Sequence, residues 1–168
     1  MRGHKIGSRL RRADGPRPRR CLERLAATPA FARCSAQELA LIDSITCETR
    51  VRAGYVLARE GQEARQANFV VSGRAVAVRG GELVGGFGPG SCIGCRNIVS
   101  GFAHETTIVA ERPMVVRAAT TSELRLMARL FSSVQAWIET IPDTPDGCEP
   151  YEEAHVYRVN PAELTTAF

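Results

Sequence analysis

Lysine is nearly absent: Lys5 stands alone against twenty-one arginines in 168 residues, a bias that reads as genomic base composition. Long apolar runs are missing as well. No stretch approaches the roughly 20 residues of a membrane-spanning helix, and no basic segment leads into the apolar core of a signal peptide, so a soluble, cytoplasmic protein without membrane contact is expected. The signatures of catalysis do not occur either. There is no Gly-x-Ser-x-Gly, no phosphate-cradling P-loop with its lysine and no His-Glu-x-x-His. The chain is therefore not expected to be an enzyme. Beside Cys92-Ile93-Gly94-Cys95 there is no second Cys-x-x-Cys or Cys-x-x-His pair, which a structural zinc site would need, and no metal is expected.

What is present suits one domain with a modest core, since 44% of the residues are hydrophobic. Charge is segregated along the chain. Residues 1–20 hold eight arginines or lysines against one aspartate, whereas residues 139–168 hold seven carboxylates against one arginine. With glycines and prolines among its arginines and almost nothing to bury, 1–20 reads as a disordered basic arm, able to touch nucleic acid only non-specifically. Residues 142–168 read as an acidic, largely irregular tail. The folded domain is expected over 21–141.

Within that domain the hydrophobic period changes twice. Leu22, Leu25 and Ala26 share a helical face, and Pro29-Ala30-Phe31 forms a kinked apolar connection. Ser35 with Glu38 predicts a capping box, with Leu39, Leu41, Ile42 and Ile45 on the buried face of the helix it starts. From 48 to 117 the apolar runs shorten to strand length and glycines punctuate them, which predicts an antiparallel sandwich or barrel. After Arg117 a helix returns, capped by Thr121 or Ser122, with Leu124, Met127, Ala128 and Phe131 on one side. Val134, Trp137, Ile138 and Ile141 continue or restart it, and Pro142 ends it.

The stretch 88–110 carries the site chemistry. A Gly-Pro-Gly turn leads through Ser91 and Cys92 to Gly94, after which Cys95-Arg96-Asn97-Ile98-Val99 starts a short helical turn. A glycine-preceded helix start leaves backbone N–H groups unpaired, a candidate anion site. The run from Thr106 to Ala110 returns as a strand beside it. Cys92 and Cys95 at a helix start also have the spacing of a low-pKa thiol pair.

Taken in order, these pieces resemble the cyclic nucleotide-binding domain, the jelly-roll sensor of bacterial catabolite activator proteins, cyclic-nucleotide-dependent kinases and gated channels. The likeness covers 25–141. It is carried by Thr28-Pro29-Ala30-Phe31 with 35–42, Gly54-Tyr55-Val56-Leu57 with Glu60-Gly61-Gln62, and Phe69-Val70-Val71-Ser72-Gly73. Gly88-Pro89-Gly90, Ile93-Gly94 and Val109-Ala110 complete it. The resemblance implies a mainly β fold with flanking helices: an antiparallel jelly-roll sandwich with two N-terminal helices, a short inner helix and a C-terminal helix. It also implies cAMP or cGMP as ligand, or else another small anion. In the family a glutamate after the cassette glycine holds the ribose hydroxyl and an arginine further on pairs with the phosphate. Here Gly94 fits, but the glutamate position is Cys95 and the arginine position falls on His104 or Glu105.

The expected pocket therefore comprises Gly94, Cys95, Arg96, Asn97, His104, Glu105, Thr106 and Thr107. The expected function is a stand-alone, non-catalytic regulatory, ligand-sensing or interaction module in which the usual cyclic nucleotide contacts are depleted. Its output would pass to a protein partner, with a homodimer as one arrangement. Only 27 residues follow Ile141, so a helix-turn-helix output domain is not expected. The alternative is a thiol-based redox sensor through Cys92 and Cys95 on the same scaffold.

Overall fold

The computed structural model describes residues 19–150. Most of the basic arm and everything beyond Pro150 lie outside the described residues. Helix α1 (Arg19–Ala26) leads through a 3-10 turn at Pro29–Phe31 into α2 (Ala36–Ile45). The capping box forms as the sequence predicts: the Glu38 amide donates to Ser35 Oγ at 3.3 Å and the Ser35 amide to Glu38 Oε2 at 2.6 Å. Leu39 and Ile42 are buried as expected. Leu41 is exposed, because its position falls off that face.

Eight strands follow: β1 (Cys47–Val51), β2 (Val56–Ala58), β3 (Gln66–Ser72), β4 (Ala75–Arg79), β5 (Glu82–Phe87), β6 (Cys92–Ile93), β7 (Thr107–Ala110) and β8 (Met114–Thr120). They make two four-stranded sheets in the orders β1-β8-β3-β6 and β2-β7-β4-β5. Every pairing is antiparallel. This is the jelly-roll sandwich that the glycine-punctuated runs predict. The short inner helix, α3 (Cys95–Ser100), sits between β6 and β7.

Strand alternation divides the core in two. Val70, Ile93, Met114 and Val116 point between the sheets, where they meet Ala75, Ala77, Phe87, Ile108 and Ala110. Ala67, Phe69 and Ala119 point the other way, onto a helical layer with Phe31, Leu39, Ile42 and Ile98. Phe69 is the pivot of that layer. Its ring lies 4.8 Å from Phe31 and 5.8 Å from Trp137. Arg117 also faces the helices, 5% exposed, and donates to Asp43 at 2.8 Å and to Thr46 Oγ1 at 2.8 Å.

The C-terminal helix differs from expectation in its cap and in its end. Its cap is Thr120, not Thr121 or Ser122, because Glu123 completes a second capping box with Thr120. Of the two expected courses the helix restarts, as α4 (Thr121–Leu130) and α5 (Ser132–Ile138) about an extended Phe131 that caps both, and it ends at Ile138, short of Ile141 and Pro142. The described segment after α5 also differs from the sequence reading. Residues 142–150, expected as the start of an irregular tail, fold back across the sandwich as a strap with a 3-10 turn at Pro145–Gly147.

Candidate functional site

The strap and the 94–107 stretch form the site together. Gly94 caps α3 with φ +87°, and a Cβ there would stand 2.5 Å from the Gln66 carbonyl oxygen, so both conformation and space require glycine. One turn on, Asn97 is buried and spends both amide hydrogens: Nδ2 donates to Ala103 O at 3.1 Å and to Asp146 Oδ1 at 2.7 Å. Its Oδ1 is buried without a hydrogen-bond partner. The chain then returns through His104, Glu105 and Thr106 to β7.

Those three residues close around the Asp146 carboxylate. Oδ1 accepts from Asn97, from the Glu105 amide at 3.0 Å and from His104 Nδ1 at 3.3 Å, an N–H donor toward a group that can only accept. Oδ2 accepts from the Thr106 amide at 2.8 Å and from Thr106 Oγ1. Five donors thus converge on one fully buried carboxylate. A buried charge is tolerated only with such partners. Asp146 is held in place against backbone preference: at φ 55° it is the single positive-φ non-glycine among the described residues, a conformation that costs on the order of 1–3 kcal/mol.

Burial pushes the Asp146 carboxyl up, but the hydrogen bonds from His104, Thr106, the Glu105 amide and Asn97 outweigh it and hold the group below the ordinary carboxylate range. A folded pKa below the unfolded one stabilises the docked strap at and above neutrality, and that stability is lost as the pH falls through the folded value. The other ionisable groups around it are His104, Glu105, Arg96, Asp143 and Cys148, with Arg79 reaching Glu105 at 3.9 Å. Thermal unfolding followed against pH should show strap-dependent stability constant down to about pH 4 and falling below it. In Asp146→Asn that acid-side fall should shrink, and an unchanged profile would remove Asp146 as its source.

Three further contacts hold the strap. Arg96 Nη1 donates to Pro142 O at 2.9 Å and Thr144 O at 3.0 Å, and Nη2 pairs with Asp143. Gly86 and Glu149 exchange two backbone hydrogen bonds of 3.0 Å, adding one antiparallel bridge to β5. Between these, Cys148 is 1% exposed and joins the core between the sheets. Gly85 has no left-handed conformation, yet a Cβ there would lie 2.4 Å from Cys148 Sγ and 2.6 Å from Glu149 O. That glycine makes room for the strap.

The residues read from the sequence are thus partly assembled. Asn97, His104 and Thr106 contribute side chains to the cradle, and Glu105 contributes its amide. The Glu105 carboxylate accepts from the Asp146 amide at 3.4 Å. Arg96 faces the strap carbonyls. Thr107 Oγ1 accepts from the Glu60 amide at 3.2 Å, away from the cradle. Cys95 turns into the helical core and is joined to Cys92 in a disulfide with a Cα separation of 5.9 Å. A glutamate at 95 would therefore be buried among apolar side chains. The cradle also differs from the expected helix-start site: its amides come from Glu105 and Thr106, at the lead-in to β7. Sequence reasoning missed Asp146, Cys148, Gly85 and Gly86. Two signals pointed to them: Pro145-Asp146-Gly147 is a turn triplet, and paired glycines inside a strand mark a close backbone approach.

Two of the open concavities on the surface of the domain involve residues near the site. One, of about 520 Å³, is lined by Thr49, Arg50, Arg52, Tyr55, Gln66 and Asn68 among others. The other, of about 420 Å³, has His104 in its wall with Arg59, Gln62, Glu63 and Arg65. Among the described residues no group of histidines, cysteines and carboxylates could hold a metal, and no helix is long and apolar enough to cross a membrane.

Comparison with known proteins agrees with this architecture. Residues 48–129 match the family model of the cyclic nucleotide-binding domain. A regulatory subunit of a cAMP-independent protein kinase A from Trypanosoma brucei, a triple mutant bound to cAMP in the A site, superposes with a TM-score of 0.65 at 16% identity. That match covers 75% of this chain and 47% of that one, so the chain spans about half the length of the kinase subunit. A putative cyclic nucleotide-binding protein from Geobacter metallireducens gives 0.60 at 20% identity over 70% of this chain and 88% of that one. The catabolite activator protein of Thermus thermophilus gives 0.57 at 19%, over 64% and 53%. No curated protein matches the chain in sequence. The matched region and the jelly roll coincide, and residues 48–129 belong to the cyclic nucleotide-binding domain family.

Proposed function

We propose that this chain is a non-catalytic regulatory module whose ligand pocket is filled by its own strap, so that it does not take cAMP or cGMP in the manner its fold suggests. The observation that carries this reading is the Asp146 carboxylate, seated among five donors from 97–106. It stands in for an external anion in the stretch that resembles the family's phosphate-binding cassette. The depleted contacts point the same way. A charge-assisted arginine–phosphate bond is worth about 1.5–3 kcal/mol, and the corresponding position holds His104 or Glu105, both already engaged with Asp146. Domains of this family are regulatory, and one structural neighbour is by its name cAMP-independent.

Output would pass through a protein partner, since no group in the site is placed for bond making or breaking. The alternative, a thiol-based redox sensor through Cys92 and Cys95, has their bond in its favour. Against it, both cysteines are buried, at 4% and 0% exposure, out of reach of a redox partner. Isothermal titration of the full chain with cAMP and with cGMP at micromolar concentrations is expected to give no saturable heat. A dissociation constant in the micromolar range or below for either nucleotide would refute the self-occupied reading.

A further inference from the structure

We propose that the strap 142–150 is a tethered, exchangeable ligand. Lifting it opens a binding site for a phosphate-bearing small molecule, and Arg96 changes partner from the strap to that molecule. The proposal rests on the self-occupied reading above and adds to it the regulation of the pocket.

None of the five cradle donors belongs to the strap. When Asp146 leaves, Asn97 Nδ2, His104 Nδ1, Thr106 Oγ1 and the amides of Glu105 and Thr106 lose their common acceptor together. Buried donors without a partner are costly, so the open state favours any anion that can replace the carboxylate. Arg96 loses its acceptors at the same moment, because Pro142 O, Thr144 O and Asp143 all lie on the strap. Its side chain is 32% exposed and adjoins Asn97 in the same turn of α3, so the release of one segment frees both the cradle donors and a cation beside them.

The strap has the features of a removable element. It is held to the sheets by one backbone bridge, and it stores two consecutive left-handed residues, Asp146 at φ 55° and Gly147 at φ +74°. What it vacates is not a surface patch. Cys148 leaves the core beside Gly85 and Gly86, so an incoming molecule finds an enclosed slot for its body next to the cradle for its anionic group. His104 also walls the outer concavity that carries Arg59 and Arg65, which sets positive potential on the side from which a phosphate would approach; Glu63 in the same wall moderates it. A phosphate suits this set better than a second carboxylate, because it offers a further oxygen for the freed guanidinium.

The test uses the full chain, with inorganic phosphate and cAMP as probes and alkylation of Cys148, mapped by mass spectrometry, as the report of strap opening. Asp146→Ala should expose Cys148 and bind at least one probe saturably at millimolar concentration or better. Adding Arg96→Ala to it should weaken that binding about 10- to 100-fold. In otherwise wild-type protein, Arg96→Ala alone should speed Cys148 alkylation about 10- to 100-fold. Asp146→Ala with Cys148 exposed but neither probe bound overturns the exchange and leaves the self-occupied reading standing. Cys148 still protected in Asp146→Ala means that the strap stays docked without its carboxylate, and this too overturns the exchange. Binding indifferent to Arg96 overturns the change of partner. If Asp146→Ala does not fold, an unchanged Cys148 rate in Arg96→Ala is sufficient to reject the proposal.

Discussion

Arg117→Ala should cost about 3–5 kcal/mol of stability, a large part of the roughly 5–15 kcal/mol that holds a domain of this size. The guanidinium lies under the N-terminal helices and bonds Asp43 and Thr46, with Cys21 Sγ at 3.5 Å. Its removal takes the buried Arg117 guanidinium away from the Asp43 carboxylate, which is 3% exposed and also accepts from Cys21 Sγ at 3.2 Å. The penalty comes from the weaker neutralisation of that buried charge more than from the lost bond. Replacing both partners by apolar residues, Arg117→Met with Asp43→Leu, should therefore be less damaging than Arg117→Ala alone. Urea unfolding of the three proteins decides the matter. A double variant as unstable as the single one would show that the pair is needed for more than mutual neutralisation.

Gly85→Ala should displace the strap while the sandwich stays folded. Its methyl would stand 2.4 Å from Cys148 Sγ and 2.6 Å from the Glu149 carbonyl oxygen; the second is backbone and cannot rotate away. Overpacking of this kind costs about 1–3 kcal/mol, and the strap is the part able to yield. The expected result is loss of the Gly86–Glu149 bridge and conversion of Cys148 from an enclosed thiol, pushed up by burial, to one that alkylates readily. Gly88→Ala is the control, because nothing lies within 4 Å of a Cβ there and its backbone needs no left-handed angle. Continued protection of Cys148 in Gly85→Ala would mean that strand β5 moves instead and that the strap is not the weak element.

Much of the scaffold was legible before any coordinates. The Ser35–Glu38 box, the short antiparallel strands and the glycine-preceded inner helix are encoded locally, in spacings of a few residues, and they form where they are read. The differences lie where a local signal had more than one solution. Thr120, Thr121 and Ser122 could each cap α4, and the choice falls on Thr120 because Glu123 stands three residues on. The position of Cys95 after Gly94 points it to the pocket, but α3 turns its side chain onto the helical layer, where Cys92 meets it.

The sandwich with its helical cover is written into the chain locally, and so is the prominence of 94–107, since hydrophobic period and turn residues act over short range. That 97–106 closes on the Asp146 carboxylate is a product of tertiary packing. Asp146 is one of seven carboxylates in an acidic terminal segment, 40 to 49 residues from the groups that bind it. The Pro145-Asp146-Gly147 triplet marks a turn but names no partner, and Asp143, three residues before it, stays on the surface with Arg96. The distinction arises when Gly85 lets Cys148 into the core and fixes the height of the strap, leaving one carboxylate over a ring of otherwise unpaired donors.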